Sequence, residues 1–317
     1  MRNSTGVSMA DLPEEEIGAQ TLRRLSAAWP RRATIRTDLD RVTEAGDYAE
    51  EVPDYPLRFL PFAEHPDFQA VTDEQRRRVL TLAWLVYNER VVTAEEYVAN
   101  PTFAMIAHGV FPGADRFEVV EAVQQAHIDE TWHTYLHMIA MRRTRELRNV
   151  TSEPHYPHAV TYRMLLAEQA KCDERWQRDM LSFVWTVVSE ISVNAYLELL
   201  SRDETIQPLH SLVTRLHSRD ESAHGPVMLE VAKAVYAHLD RRQREFFTRA
   251  VPTALRAFVT QDFEVWPGIL RHAGVAGATD IVNDSKSYRG SDLLVRDFSG
   301  VKHLIREMEL DVQLDGF

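Results

Sequence analysis

Cysteine is nearly absent from this chain: one residue, Cys172, among 317. A lone cysteine can make neither an internal disulfide nor a cysteine–zinc site, and it fits a reducing cytoplasm. Between Lys171 and Asp173 it reads as a free thiol on a polar helix. Glycine is scarce too, at 12 residues, which favours helices over a turn-rich all-β fold. No apolar run reaches membrane-spanning length. Met1–Ile17 is mixed and turns acidic at Glu14–Glu16, without the basic-then-apolar layout of a secretion signal, so a cytoplasmic chain is expected. Positive charge is short: 36 Lys and Arg against 48 Asp and Glu leave a net charge of −12. That argues against a nucleic-acid partner.

What is present is an ordinary globular mixture, 44% hydrophobic and 26% charged, so widespread disorder is not expected. No composition shift marks a second domain. The chain reads as one domain over 1–317, with a flexible segment at 1–16. A short helix is expected at Gly18–Trp29, ended by the Pro30-Arg31-Arg32 turn. Pro53, Pro56, Pro61 and Pro66 make 50–67 an ordered loop. Four long amphipathic patterns follow. The first runs from the N-cap Thr72 to Asn100, before Pro101. The second covers Arg116–Arg148, with basic residues massed at its C-terminal end. The third covers Cys172–Asp203. The fourth covers Gln207–Leu239 and contains Pro226, which should kink or divide it. Further helices are expected around Asp240–Phe263 and Gly300–Glu307. This is an all-α pattern, a bundle with additional helices.

One motif occurs twice. Asp129-Glu130-Thr131-Trp132-His133 lies on the second long helix, and Asp220-Glu221-Ser222-Ala223-His224 on the fourth. Residues three apart share a helix face, so Glu130 with His133, and Glu221 with His224, can each bind one metal. His217 stands one turn before Glu221 and extends that stripe. Glu190 sits in the apolar "FVWTVVSEISVNAYLELL", where an unpaired carboxylate is costly and a cation removes the cost. Glu95 follows the apolar "RVVTA", with Glu96 beside it as the alternative.

Each of four helices therefore supplies a glutamate, and two also supply histidine, the known pattern of ferritin-like di-iron and di-manganese proteins. Four carboxylates balance two divalent cations. Mixed oxygen and imidazole donors suit iron or manganese better than copper or zinc. There is no H-E-x-x-H, so a zinc protease of that type is not supported. Asp129 and Asp220 are read as orienting groups, Asp129 holding His224 and Asp220 holding His133 across the bundle.

Beyond these spacings, long segments resemble a known family. "YNERV", "HGVFPG", "DETWHTYLHM", "RDETIQPLHSL" and "LHSRDESAHG" are similar to the arylamine N-oxygenases, above all the p-aminobenzoate N-oxygenases of antibiotic biosynthesis. The resemblance spans nearly the whole chain. It implies iron ligands at Glu95, Glu130, His133, Glu190, His217, Glu221 and His224, choosing Glu95 over Glu96. It marks His217 as the extra imidazole that sets these enzymes apart from a generic ferritin-like site. It further implies a cofactor of two iron ions cycling between Fe2+ and Fe3+, with manganese as a possible substitute, and O2 as co-substrate. The implied reaction oxidises a primary aromatic amine to a hydroxylamine and on to nitroso and nitro. It also implies an external electron donor and a homodimer.

Near the ligands, Trp132 and Trp185 read as core. Tyr87 and Arg90 fall in "YNERV" and are candidates to bind substrate. Arg90 is a candidate to hold a substrate carboxylate, or to pair with a nearby acid. Asn194, one turn beyond Glu190, is a candidate to bond substrate or a ligand carboxylate. Two other readings compete: another O2-activating di-iron enzyme (a C–H hydroxylase or radical-generating oxidase), and an iron-storage protein.

Overall fold

Strong caps and long apolar stripes dictate helices here, and helices are what form. The structure, a computed structural model, describes residues 13–37, 48–288 and 293–314. Its helices are α1 (Glu14–Arg32), α2 (Pro66–Gln69), α3 (Asp73–Ala94), α4 (Asn100–Ala107), α5 (Phe117–Leu147), α6 (Val160–Gln169), α7 (Arg175–Ser201), α8 (Pro208–His238), α9 (Arg241–Val259), α10 (Trp266–His272), α11 (Ala278–Lys286) and α12 (Ser299–Glu307). Among the described residues there is no strand, only an isolated bridge between Thr260 and Leu293.

α3, α5, α7 and α8 form a four-helix bundle of the ferritin-like kind. α7 packs along α8 and α3 along α5, while α5 also meets α8. α1 lies across α5 and α8, and α9 covers α7. The caps are chemical. Thr72 and Gln75 make a reciprocal capping box at α3, and Asp240 and Gln243 repeat it at α9. α7 is the one helix among the described residues long and apolar enough to cross a membrane. Its apolar window is 78% buried inside the protein, as suits the core of a bundle.

Several boundaries differ from expectation for identifiable reasons. α1 begins at Glu14 and continues through Pro30 to Arg32. Three residues of the expected flexible segment, Glu14–Glu16, are therefore its first turn, and 1–12 lie outside the described residues. The first long pattern does not stop at Pro101. After Ala94 the backbone widens into a π-helical turn, Glu95–Ala99, and then resumes as α4 with Pro101 in its first turn. Pro101, which has no N–H to give the ladder, follows directly on that π turn, where the α-helical hydrogen-bond register is already interrupted. Pro226 does not divide α8. It faces solvent, as does Ser222, whose carbonyl would have paired with the missing N–H. Cys172 is a free, half-buried thiol, but in the turn before α7 rather than on a helix. α6, α10 and α11 were not anticipated from the pattern.

A buried polar knot ties the 48–56 loop to the bundle. His210 stacks on Trp84 at 3.9 Å. Its Nδ1 donates to the Asp54 carbonyl at 2.9 Å, and its Nε2 lies 3.0 Å from Thr144 Oγ1. Burial lowers His210 to about 4, which Asp54 offsets only in part. The unfolded imidazole takes its proton near 6.5. The stabilisation is therefore complete above 6.5 and is lost as the pH falls toward the folded value. Between about pH 7 and about pH 5 this group alone is expected to remove about 2 kcal/mol of unfolding free energy. Urea titrations of wild type and His210→Gln check this: the variant should show the flatter pH dependence, and equal slopes would refute it.

Candidate metal centre

The helical spacings deliver their side chains to one point. Glu130 and His133 project inward from α5, Glu221, His224 and His217 from α8, and Glu190 from α7. Glu95 enters from the end of α3, one turn after buried Val91 and on the same inward face, while Glu96 is exposed. None of the seven is more than 3% exposed. Nδ1 of His133 lies 2.9 Å from Glu130 Oε2 and 3.3 Å from Glu221 Oε1. Nδ1 of His224 lies 2.6 Å from Glu130 Oε1, 3.1 Å from Glu221 Oε1 and 3.4 Å from Glu190 Oε2. Nε2 of His217 lies 3.1 Å from Glu221 Oε1 and 3.4 Å from Glu95 Oε1.

Two overlapping donor groups result. One is Glu95, Glu130, His133, His217 and Glu221; the other is Glu130, Glu190, Glu221 and His224. Within each, the donor atoms lie within 4.8 Å of one another. Glu130 and Glu221 belong to both, so each could contact either of two cations held there. The oxygens fit that use. Glu190 Oε2 and Glu221 Oε2 are buried without a hydrogen-bond partner, and Glu130 Oε1, though close to His224, is not aligned for a bond. A buried acceptor left so costs about 1–3 kcal/mol, and a cation satisfies it.

Electrostatics point the same way. Burial pushes Glu95 and Glu190 well above the usual carboxylate range, and the nearby Glu130 adds to both. Burial also works against Glu130 and Glu221. His224 and His133 outweigh it there and hold both low. Burial opposes charge on His133 and His224, but the facing carboxylates overcome it and raise both. Burial, with His133 alongside, lowers His217. The cluster thus draws positive charge to its centre from its own imidazoles. Two divalent cations among four carboxylates meet that demand with all three imidazoles neutral.

The outer groups cross the bundle. His133 Nε2 lies 3.2 Å from Asp220 Oδ2, and His224 Nε2 lies 3.2 Å from Asp129 Oδ2. Each aspartate of one motif therefore holds the histidine of the other. Behind them stands the end of α1. Trp29 Nε1 donates to both Asp129 oxygens at 3.0 Å. Arg32 reaches Asp220 Oδ1 at 3.3 Å and Asp129 Oδ2 at 3.5 Å. The Thr34 N–H donates to Asp220 Oδ2 at 3.1 Å. No local pattern announces these three residues, because their contacts span about a hundred residues or more.

The p-aminobenzoate N-oxygenase AurF family matches residues 16–309. The 4-aminobenzoate N-oxygenase of Streptomyces thioluteus is 48% identical over 302 residues, covering 95% of this chain and 90% of that protein. The chain belongs to the AurF family. That membership disfavours the C–H hydroxylase, radical-oxidase and iron-storage readings.

In this AurF-family chain a cavity of about 270 Å³ lies beside α3. Thr93 and Tyr97, on either side of Glu95, line it together with Tyr87, Arg90 and Tyr196. The Tyr87 and Tyr196 rings stack at 4.7 Å, and the buried Tyr87 hydroxyl has no hydrogen-bond partner. Of the two partners offered for Arg90, a substrate carboxylate or a nearby acid, no acid pairs with it among the described residues. It donates to the carbonyls of Thr260 and Phe258 and lies over the Tyr196 ring. Asn194 is not among the residues lining the cavity, and its hydrogen bonds among the described residues go to α8 rather than to a ligand carboxylate. Its amide lies 2.9 Å from Ser218 Oγ on α8, because four residues beyond Glu190 the helix has turned about 40° past it. Trp132 and Trp185 are core, with their indole N–H groups bonded to Thr34 Oγ1 and the Thr161 carbonyl.

Removing the charge of either aspartate should loosen the imidazole it holds. Asp129→Asn and Asp220→Asn are each expected to weaken metal affinity by about 10- to 100-fold. Anaerobic ferrous titration of the two variants measures this, and wild-type affinity in both would refute the crossed arrangement.

Proposed function

We propose that this protein is a non-haem di-iron N-oxygenase, an oxidoreductase that converts a primary aromatic amine to the hydroxylamine and on to nitroso and nitro products. The observation that carries the reading is the complete set of seven buried donors, with a third imidazole, in a chain similar along its length to a 4-aminobenzoate N-oxygenase. Two irons would be held by Glu95, His133 and His217 together with Glu190 and His224, with Glu130 and Glu221 within reach of both groups. Manganese suits the same oxygen and nitrogen donors as a substitute. Two ferrous ions held there supply the electrons that activate O2 for transfer of an oxygen atom to the amine nitrogen.

The protein's own task is placement. Asp129 and Asp220 keep the Nε2 protons of His224 and His133 engaged, so that Nδ1 of each ring faces the centre. The cavity beside α3 takes a flat ring against Tyr87 and Tyr196, and the Tyr87 hydroxyl is free to bond a polar substituent. Arg90 braces that wall; a substrate carboxylate at its remaining N–H groups is part of the same proposal. Asn194 is left as a helix–helix contact. Burial keeps bulk water from the donors. The first oxygenation turns an amine, O2, two protons and two electrons into a hydroxylamine and water, so an external electron donor is required.

The lone free thiol Cys172 accords with a reducing cytoplasm. A homodimer accords with an exposed stripe on α5, where Ile128, Tyr135 and Met138 face outward at spacings of seven and three. Light scattering should give a dimer mass for wild type and a monomer for the double change Tyr135→Glu and Met138→Glu; a monomeric wild type would remove the dimer.

Ferrous-loaded protein with O2 and a reductant should turn aminobenzoates into hydroxylamino- and nitrobenzoates, read by mass spectrometry, and metal-free protein should not. Metal-loaded protein that leaves every aromatic amine unchanged would overturn the N-oxygenase reading, and ring-hydroxylated products would replace it with a C–H hydroxylase.

A further inference from the structure

His137 belongs to neither motif and is fully buried one turn beyond His133 on α5. Its Nδ1 lies 2.6 Å from Asn88 Oδ1, and its Nε2 lies 2.9 Å from Nδ1 of His217. Asn88, buried on α3, donates its Nδ2 to the Trp84 carbonyl at 2.6 Å. Donor and acceptor rules then order the protons along this chain. A backbone carbonyl only accepts, so the amide nitrogen faces Trp84 and the amide oxygen faces His137. That oxygen only accepts, so His137 carries its proton on Nδ1. Both ring nitrogens of His137 meet neutral groups, and a buried ring in that setting is uncharged. Its Nε2 is therefore an acceptor, and the proton between the two imidazoles belongs to Nδ1 of His217. Nε2 of His217, the atom facing Glu221 and Glu95, is left with a bare lone pair.

We propose that His137 and Asn88 are the positioning pair for His217: they fix its tautomer and ring plane so that Nε2 is presented as a metal ligand. The inference rests on the di-metal reading and deepens it. It also separates the third imidazole from the other two. His133 and His224 offer Nδ1 and donate Nε2–H to carboxylates. His217 offers Nε2 and donates Nδ1–H to a neutral ring. A carboxylate acceptor raises the basicity of a ligating imidazole more than a neutral one does. The metal position built from Glu95, His133 and His217 is thus the one sensitive to His137.

The test uses zinc, a diamagnetic metal, at two equivalents on protein labelled with 15N-histidine. The His217 resonances are assigned by their loss in His217→Ala. Wild type should show His217 protonated at Nδ1, with Nε2 shifted by the metal. His137→Phe should bind one of the two zinc ions about 10- to 100-fold more weakly and the other as before. His137→Gln, which restores an acceptor for the His217 proton, should recover most of that loss. A wild-type His217 bound through Nδ1, or His137→Phe with both zinc affinities unchanged, would overturn this inference and leave the di-metal reading intact. Wild type that takes up no metal would overturn both. The wild-type spectrum decides the matter even if His137→Phe does not fold.

Discussion

Four glutamates in the middle of an apolar bundle are the constraint from which the rest of this structure follows. Carboxylates buried beyond the reach of water cannot all stay charged without positive charge among them. Glu95 and Glu190 are pushed toward the neutral form, while Glu130 and Glu221 stay ionised against His133 and His224. Such a core is a poor way to stabilise a fold and a good way to hold two cations. The surrounding apolar residues keep water out. They also sharpen the field that any bound cation would satisfy.

Around this centre the protein is built in layers of decreasing charge. The donors come first. Behind His133 and His224 stand the crossed aspartates, and behind these stand Trp29, Arg32 and Thr34 from α1 and the turn after it. α1 is outside the four-helix bundle, yet its C-terminal end closes the network that orients two of the three imidazoles. Behind His217 stands a different support: His137, then Asn88, then a backbone carbonyl, all uncharged. The near-twofold repeat of the motif gives two matched ends. The neutral relay makes one end unlike the other.

Glu130, His133, Glu221 and His224 were legible because helical geometry fixes which residues share a face, and two matching copies are hard to read any other way. Glu190 was legible from its apolar neighbours. Glu95 was left beside Glu96 as alternatives by the sequence, although the structure shows that it continues the inward stripe of α3, seven residues after buried Asn88 and four after buried Val91. Resemblance supplied that choice, and the geometry supplies its physical cause. Arg90 and Asn194 show the converse. Both lie near the ligands in sequence and carry suitable chemistry, yet Arg90 spends donors on carbonyls at the C-terminal end of α9 and Asn194 faces α8.

The sequence alone determined the helical class, the four long helices and the inward stripes, since these depend on propensity, caps and a period of 3.6 residues, all of them local. It also named the aspartates, because they ride next to the glutamates. Only the tertiary structure decided that α1 reaches those aspartates, that Pro30 and Pro226 are accommodated within their helices, and that His137 stands behind His217. Each of these depends on which surfaces meet at long range, and that is settled by the packing of the whole chain, which no local window of residues contains.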